Sequence, residues 1–309
     1  MAVSTKLAIS IPTFNHPNLI ETGILAILPE LETYSIPLYI SDNSTNFETE
    51  AVVAKLREKY PYIYYRKNTH NLGYDDNFLL ALTWPDTDFV WPLGDGLIIQ
   101  PGGISYVMTS LNLETDLFIV NDRSVDQTPY AVLKQDVKEF LLRKTWYITL
   151  LGATVYGRKP RAVVVASDQK MLWKNFLHLG LILFFCLTQP VTLYWSGRPI
   201  LSANPQKNGS GWTGIPFDVF VGNWSNLISC FSSFFSSQEI FQIIRSHAVN
   251  TRIFGFREIV KFRANGVLDF LIYQKHRENM KMAIPIPIWS VFLIARLPKG
   301  VCKFMLFLI

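Results

Sequence analysis

Short apolar runs alternate with longer stretches of helical spacing over the first 120 residues, and this alternation constrains the fold more than any other feature. "LAISI" (7–11), "PLYIS" (37–41), "YIYYR" (62–66), "DFVWPL" (88–93) and "DLFIV" (116–120) read as five strands. Between them lie helical patterns. "NLIETGILAILPEL" has the helical spacing of Leu19, Ile20, Ile24, Leu25, Ile27 and Leu28, and "ETEAVVAKLREKY" (48–60) is amphipathic. "DDNFLLAL" (75–82) puts Asp75 and Asp76 in a first turn, and "PGGISYVMTSL" opens with Pro101. Strands separated by single helices predict an α/β fold, a mostly parallel sheet flanked by helices. Ligands in such sheets bind beyond the C-terminal strand ends.

Four polar segments would form that edge: "PTFN" (12–15), "SDNS" (41–44), "NTHNLGYDDN" (68–77) and "GDG" (94–96). Asn, Asp and Gly favour turns whatever their function, so each segment alone is an ordinary loop. Their coincidence on one edge points to a site.

The later chain is less regular. "EFLLRKTWYITLLGATVYGR" (139–158) is ambiguous between helix and strand, "WKNFLHLGLILFFCLTQ" (173–189) reads as a buried helix, and "SANPQKNGSGWTG" (202–214) reads as a mobile loop. From 217 onward the spacing is helical. With 49% hydrophobic residues the chain can bury a large core, yet no stretch reaches the ~18 uninterrupted apolar residues of a spanning helix. No basic region followed by an apolar signal core opens the sequence, so secretion is not expected. Cys186, Cys230 and Cys302 show neither metal spacing nor a disulfide framework, which suits a reducing cytoplasm.

From Arg245 onward eleven Lys/Arg face three Asp/Glu, a balance of +8, so the remainder carries about −3 of the whole chain's +5. A basic tail suggests a negatively charged partner. Its last part mixes Trp289, Phe292, Phe304 and Phe307 with Arg296, Lys299 and Lys303, which favours an anionic membrane surface over nucleic acid. The alternative is a segment packed on the core.

Absent motifs narrow the class. No G-x-G-x-x-G follows the first strand, and no P-loop, G-x-S-x-G or HExxH occurs. "PTFNHP" is not the Gly-rich basic loop of a nucleotidyltransferase. What the sequence does resemble, through "AISIPTFN", "YISDNST", "NTHNLGYDDNF" and "FVWPLGDG" in that order, is the nucleotide-sugar half of family 2 glycosyltransferases with the GT-A fold. Within them it is most similar to the abequosyltransferase-like branch of O-antigen and surface-polysaccharide biosynthesis. The match covers about the first third well and continues weakly through "LGATVYGRK", "NFLHLG" and "GSGW".

The resemblance implies a GT-A domain over 1–215, with a nucleotide-sugar half (1–122) and an acceptor half (123–215), and a helical, basic C-terminal region over 216–309. It implies inverting transfer of a sugar from a nucleotide-diphosphate donor to a growing or polyprenyl-diphosphate-linked glycan. The enzyme would be cytoplasmic and peripheral at the inner face of the membrane. Pro12, Thr13 and Asn15 would cup the nucleoside. Asp42 would accept from the base, with Asn43 beside it, and Gly73 and Asp75 would line the base and ribose. Asp95 would be the surviving acid of a motif that holds a divalent metal, Mg²⁺ or Mn²⁺.

The family pattern has further acids where Gly96 and Leu97 stand. Two readings remain open. Either Asp95 still serves, alone or with Lys207 closing over the diphosphate, or the chain is a nucleotide-sugar- or glycan-binding protein with weakened catalysis. Lys207 also fits a solvated loop lysine. For the base that deprotonates the acceptor the sequence offers His178, whose apolar neighbours equally fit a core histidine, with Asp168 in reserve. Trp212 fits either stacking on an acceptor sugar or plain packing.

Overall fold

The computed structural model describes residues 3–122, 127–166, 172–209 and 211–308. In chain order the elements begin β1 (Leu7–Thr13), α1 (Pro17–Tyr34), β2 (Leu38–Asp42), α2 (Glu48–Lys59), β3 (Ile63–Lys67), α3 (Tyr74–Thr83) and β4 (Phe89–Pro92). They continue β5 (Leu97–Ile99), α4 (Gly103–Ser110), β6 (Leu117–Asn121), β7 (Tyr130–Val132), α5 (Val137–Lys144), β8 (Thr154–Tyr156) and α6 (Arg158–Ala166). Then come α7 (Leu177–Thr188), β9 (Leu193–Pro199), β10 (Leu201–Ala203), α8 (Trp224–Ser229), α9 (Ser237–Thr251) and α10 (Phe256–Ala264). The last are α11 (Phe270–Ala283), α12 (Ile288–Arg296) and α13 (Lys299–Leu308).

These elements form two compact units. The first comprises Met1–Lys138, Ile148–Asp168 and Leu177–Asn208, the second Glu139–Tyr147, Gln169–Phe176 and Gly209–Ile309. The first holds an eight-stranded sheet ordered β3-β2-β1-β4-β8-β6-β9-β7. Pairs β1/β2, β2/β3, β1/β4 and β6/β9 are parallel, while β8 and β7 pair antiparallel with their neighbours. The sheet is mostly parallel, as the alternating pattern predicts. Alternation along β1 explains its layers. Leu7, Ile9 and Ile11 join Ile20, Ile24 and Ile27 of α1, Val53 and Leu56 of α2, and Ile104 and Val107 of α4 in one core. Each such side chain, fully buried, contributes about 1.5–3 kcal/mol. α3 packs against β1, β2 and β4, and also against α7.

Three departures from the sequence pattern bear on the C-terminal edge of the sheet. The ambiguous stretch 139–158 contains β8, an antiparallel strand set between β4 and β6. The apolar residues after Gly96 form β5, which pairs antiparallel with β10 in a separate two-stranded sheet, with Leu97 opposite Ala203. The stretch expected to be a mobile loop, 202–214, therefore begins inside a strand.

The chain steps outward from β1 to β2 to β3, then returns to the far side of β1 as β4. The segments leaving β1 and β4 stay on one side of the sheet, where α1 packs against β5 and α4, and their first loops meet at the C-terminal edge, where open α/β sheets bind ligands.

The second unit is helical among its described residues. Ser236 and Glu239 cap α9 reciprocally, and the Asp269 carboxylate accepts from the Ile272 N–H to cap α11. Trp224 is fully buried and donates to the Ile244 carbonyl, 3.0 Å. α12 buries Val291, Ile294 and Ala295, and α13 buries Cys302 and packs on α10. Their other faces leave Trp289, Leu293, Phe304 and Phe307 exposed. Among the described residues no helix is long and apolar enough to cross a membrane.

Candidate functional site

β1 ends at Thr13, and the chain turns through Asn15, whose φ of 54° is left-handed and tolerated by Asn. His16 then stands at the N-cap of α1, with Pro17 opening the helix. Beside it, β4 leads into a tight turn closed by the Leu97 N–H on the Gly94 carbonyl, 2.9 Å. That turn presents Asp95. Its Oδ2 accepts from Thr13 Oγ1 at 2.8 Å and from His16 Nδ1 at 2.9 Å. An ionised carboxylate only accepts, so Nδ1 carries a proton. The bond to Asp95 raises the His16 pKa above its ordinary 6.5, opposed by burial and by the nearby Lys207 charge. Burial, with the charges of Asp75 and Asp95, keeps the Tyr74 hydroxyl protonated.

The β5–β10 pairing brings Lys207 to this turn. Asn204 locks the segment: its N–H donates to the Gly96 carbonyl at 2.9 Å, and its side-chain amide donates to the carbonyls of Leu19 at 3.0 Å and Asp95 at 3.3 Å. The Lys207 N–H donates to the Asn204 carbonyl, 3.0 Å. The lysine side chain then lies directly over Gly96. A methyl group added at Gly96 would sit 2.8 Å from Lys207 Nζ and Cδ and 2.9 Å from Cε.

This arrangement bears on the metal expected at Asp95. Mg²⁺ and its relatives need a shell of oxygen ligands, with one or two carboxylates beside the phosphates. Among the described residues no group of three or more His, Cys, Asp or Glu is placed to hold a metal ion. Asp95 is the lone acid of its turn, Oδ2 already serves two donors, and an ammonium lies over the next residue. The described residues therefore form no cage of protein ligands that would hold a divalent cation ahead of the diphosphate.

At the ends of β2 and β3 the polar residues bind one another. Asp42 is 0% exposed; Oδ1 accepts from the Ser44 N–H and Oδ2 from the Tyr65 hydroxyl, both 2.8 Å. Asn43 donates to the Gly73 carbonyl at 3.0 Å and accepts from Asn68 at 2.7 Å. Asn77 accepts from Ser41 at 2.6 Å and donates to the Ser41 carbonyl at 3.1 Å. The Asn15 side-chain oxygen accepts from the Thr45 N–H, 3.0 Å, so it fastens the first loop to the second. Gly73 has φ 83°, a conformation that favours glycine, at the head of α3. Asp75 accepts from the Leu177 N–H, 3.3 Å. Pro12 lies within β1, opposite Ser41.

His178 is buried at the head of α7, next to Leu177, whose N–H donates to Asp75. It is 3% exposed, its ring is 5.8 Å from that of Phe78, and Nε2 faces the Thr149 carbonyl at 3.1 Å. Burial pushes its pKa down to about 4. A base must reach the proton it takes; in this conformation the ring meets protein on the sides described. Trp212 belongs to the second unit, and Asp168 lies outside the described residues. Sequence reasoning missed His16, which carries the clearest electrostatic coupling to Asp95. Its signal was position alone, one residue past "PTFN".

No protein-family model matches the chain. Over 115 residues it is 29% identical to the abequosyltransferase RfbV of Salmonella typhimurium, which covers 37% of this chain and 34% of that protein. The chain therefore spans about a third of that relative's length. TarS 1–349 of S. aureus superposes with a TM-score of 0.54 at 13% identity, over 94% of this chain and 90% of that one. The mannosyltransferase PcManGT of Pyrobaculum calidifontis, solved with GDP-Man and Mn²⁺, gives 0.51 at 12% identity, over 98% and 88%. Identities this low speak for fold. With the mostly parallel sheet and its flanking helices, they establish that the chain has the GT-A fold of the glycosyltransferases.

Proposed function

We propose that the protein is an inverting glycosyltransferase that moves a sugar from a nucleotide-diphosphate donor to a lipid-linked or growing surface glycan. The observation that carries this reading is the convergence of Thr13, His16, Asp95 and Lys207 at the C-terminal ends of β1 and β4. The leaving nucleoside diphosphate gathers negative charge, and fixed donors and cations there stabilise it. The similarity to an abequosyltransferase supports the same chemistry. Pro12, Thr13, Asn15, Asp42, Asn43, Gly73 and Asp75 would shape the nucleoside side. Thr13 would act directly, and Asp42 and Asn43 by holding the loops in register.

On the acceptor side, His178 would serve as base through a conformation that opens the head of α7, and Trp212 would stack on an acceptor sugar. The domain over 1–215 would carry the chemistry, and the helical region 216–309 would rest on an anionic membrane, at the cytoplasmic face. Support comes from exposed Trp289, Leu293, Phe304 and Phe307 on helices that also expose Arg296, Lys299 and Lys303.

A donor screen tests the reading. Nucleotide sugars carrying UDP, GDP, CDP or dTDP are scored by thermal shift, and hits are assayed for transfer to polyprenyl-diphosphate glycans. A ligand that binds only the folded state raises the Tm, and at least one donor should do so and turn over. Binding without transfer to any acceptor tried would favour the binding-protein alternative, for which Gly96 and Leu97 in place of acids are the supporting feature.

A further inference from the structure

We infer that this site neutralises the donor's diphosphate with Lys207, assisted by His16, in place of a divalent cation. The inference rests on the glycosyltransferase reading and adds to it the identity of the charge-stabilising groups.

Position is the first argument. Where a second metal-binding acid would stand, the chain has Gly96, and the Lys207 side chain occupies the space over it. Any side chain at Gly96 would displace the ammonium, since even a methyl would come within 2.8 Å of Nζ. The missing acid and the arriving cation are thus one substitution in space, although 111 residues of sequence separate them.

Anchoring is the second. A solvated loop lysine has no fixed address, but the backbone beneath Lys207 is held by the β5–β10 ladder and by the bonds of Asn204 to Gly96, Asp95 and Leu19. The segment approaches the Asp95 turn because two strands pair there. A preplaced cation needs little reorganisation when the diphosphate leaves.

The third is the work given to Asp95. Its Oδ2 orients the His16 ring and stabilises the protonated form, so the carboxylate holds a second cationic donor at the sheet edge. His16 also stands at the N-cap position of α1, whose first turn contains no acid to offset the positive end of the helix. Thr13, on the same oxygen, fixes the carboxylate from the other strand. Lys207, joined by His16 when it is protonated, faces the diphosphate beside the single Asp95 carboxylate, a rim suited to an anion.

Calorimetric titration of UDP, GDP, CDP and dTDP, with the parent nucleosides as controls, tests this in EDTA and in MnCl₂. The inference expects at least one diphosphate to bind in EDTA within about threefold of its affinity in Mn²⁺. Lys207→Ala should weaken that diphosphate about tenfold or more while leaving the nucleoside unchanged. Gly96→Asp combined with Lys207→Ala should bind it only when Mn²⁺ is present. Diphosphate binding that requires Mn²⁺ in the wild type, or that ignores Lys207→Ala, overturns the inference and leaves the glycosyltransferase reading standing. If none of the nucleotides or nucleotide sugars binds under either condition, that reading fails and takes the inference with it. Nucleoside binding by the variants confirms that they fold.

Discussion

At the ends of β2 and β3, Asp42, Asn43, Asn68 and Asn77 direct their hydrogen bonds at one another and at nearby backbone. At the ends of β1 and β4, by contrast, His16 is 53% and Asp95 18% exposed by side chain, and Lys207 is exposed. Both edges read as polar loops of Asn, Asp and Gly in the sequence. The structure divides them into a fastener and an open charged rim. A buried polar group must be paired by its neighbours, so the β2–β3 network holds loops in place. Groups that keep solvent on one side remain available to a ligand.

Substitutions can break this contrast. The largest expected effect is on turnover at the open edge. Asp95→Ala should lower transfer about a hundredfold or more while costing about 1 kcal/mol of stability, because His16 and Thr13 lose a partner that water can replace. Donor kinetics and thermal melts on one preparation would show both. At the closed edge the pattern should invert. Asp42→Ala strands the Tyr65 hydroxyl and the Ser44 N–H, and should cost about 2–5 kcal/mol of stability, with kcat preserved in the protein that remains folded. Chemical denaturation measures the first quantity and active-site titration the second. Equal stability losses at Asp42 and Asp95 would erase the distinction.

A pH profile sharpens it further. The His16 pKa lies above 6.5 in the folded protein, so its charge is fully present below 6.5 and is lost as pH rises through the raised value. Diphosphate affinity should therefore fall a few-fold across that window, and His16→Gln should flatten the curve. The groups facing His16 are Asp95, which raises its pKa, and Lys207, which lowers it. The smallest effect is expected far from both edges. Trp289→Ser with Phe307→Ser alters side chains that are 65% and 87% exposed, so the Tm should barely move. Binding to phosphatidylglycerol vesicles should weaken, and added salt should weaken it further. Unchanged sedimentation with vesicles would remove the membrane surface from the proposal.

Much of the fold was legible because the central strands β1, β2, β4 and β6, buried on both faces, leave apolar runs, and the edge strand β3 keeps a strand-like run of aromatic residues. All five lie within two residues of where the sequence predicts them. β5, β8 and β10 were not, since three residues carry no measurable period and their pairing is long-range. That limit governed the site as well. The sequence offered Asp95 and Lys207 as candidates, but nothing in it placed one residue beyond the other's turn; a two-stranded sheet between 97–99 and 201–203 does that. His16, between Asn15 and Pro17, looked like a helix entrance, which it also is. The apolar neighbours of His178 announced its burial correctly, and they weaken its part in catalysis.

The central claim is that the donor's diphosphate lies at the open edge. A crystal structure with whichever nucleoside diphosphate binds most tightly tests it most directly. The β-phosphate should lie within about 3 Å of Lys207 Nζ and beside His16, over Gly96. A phosphate lodged instead among Asn43, Asn68 and Gly73, with Lys207 turned to solvent, would contradict it.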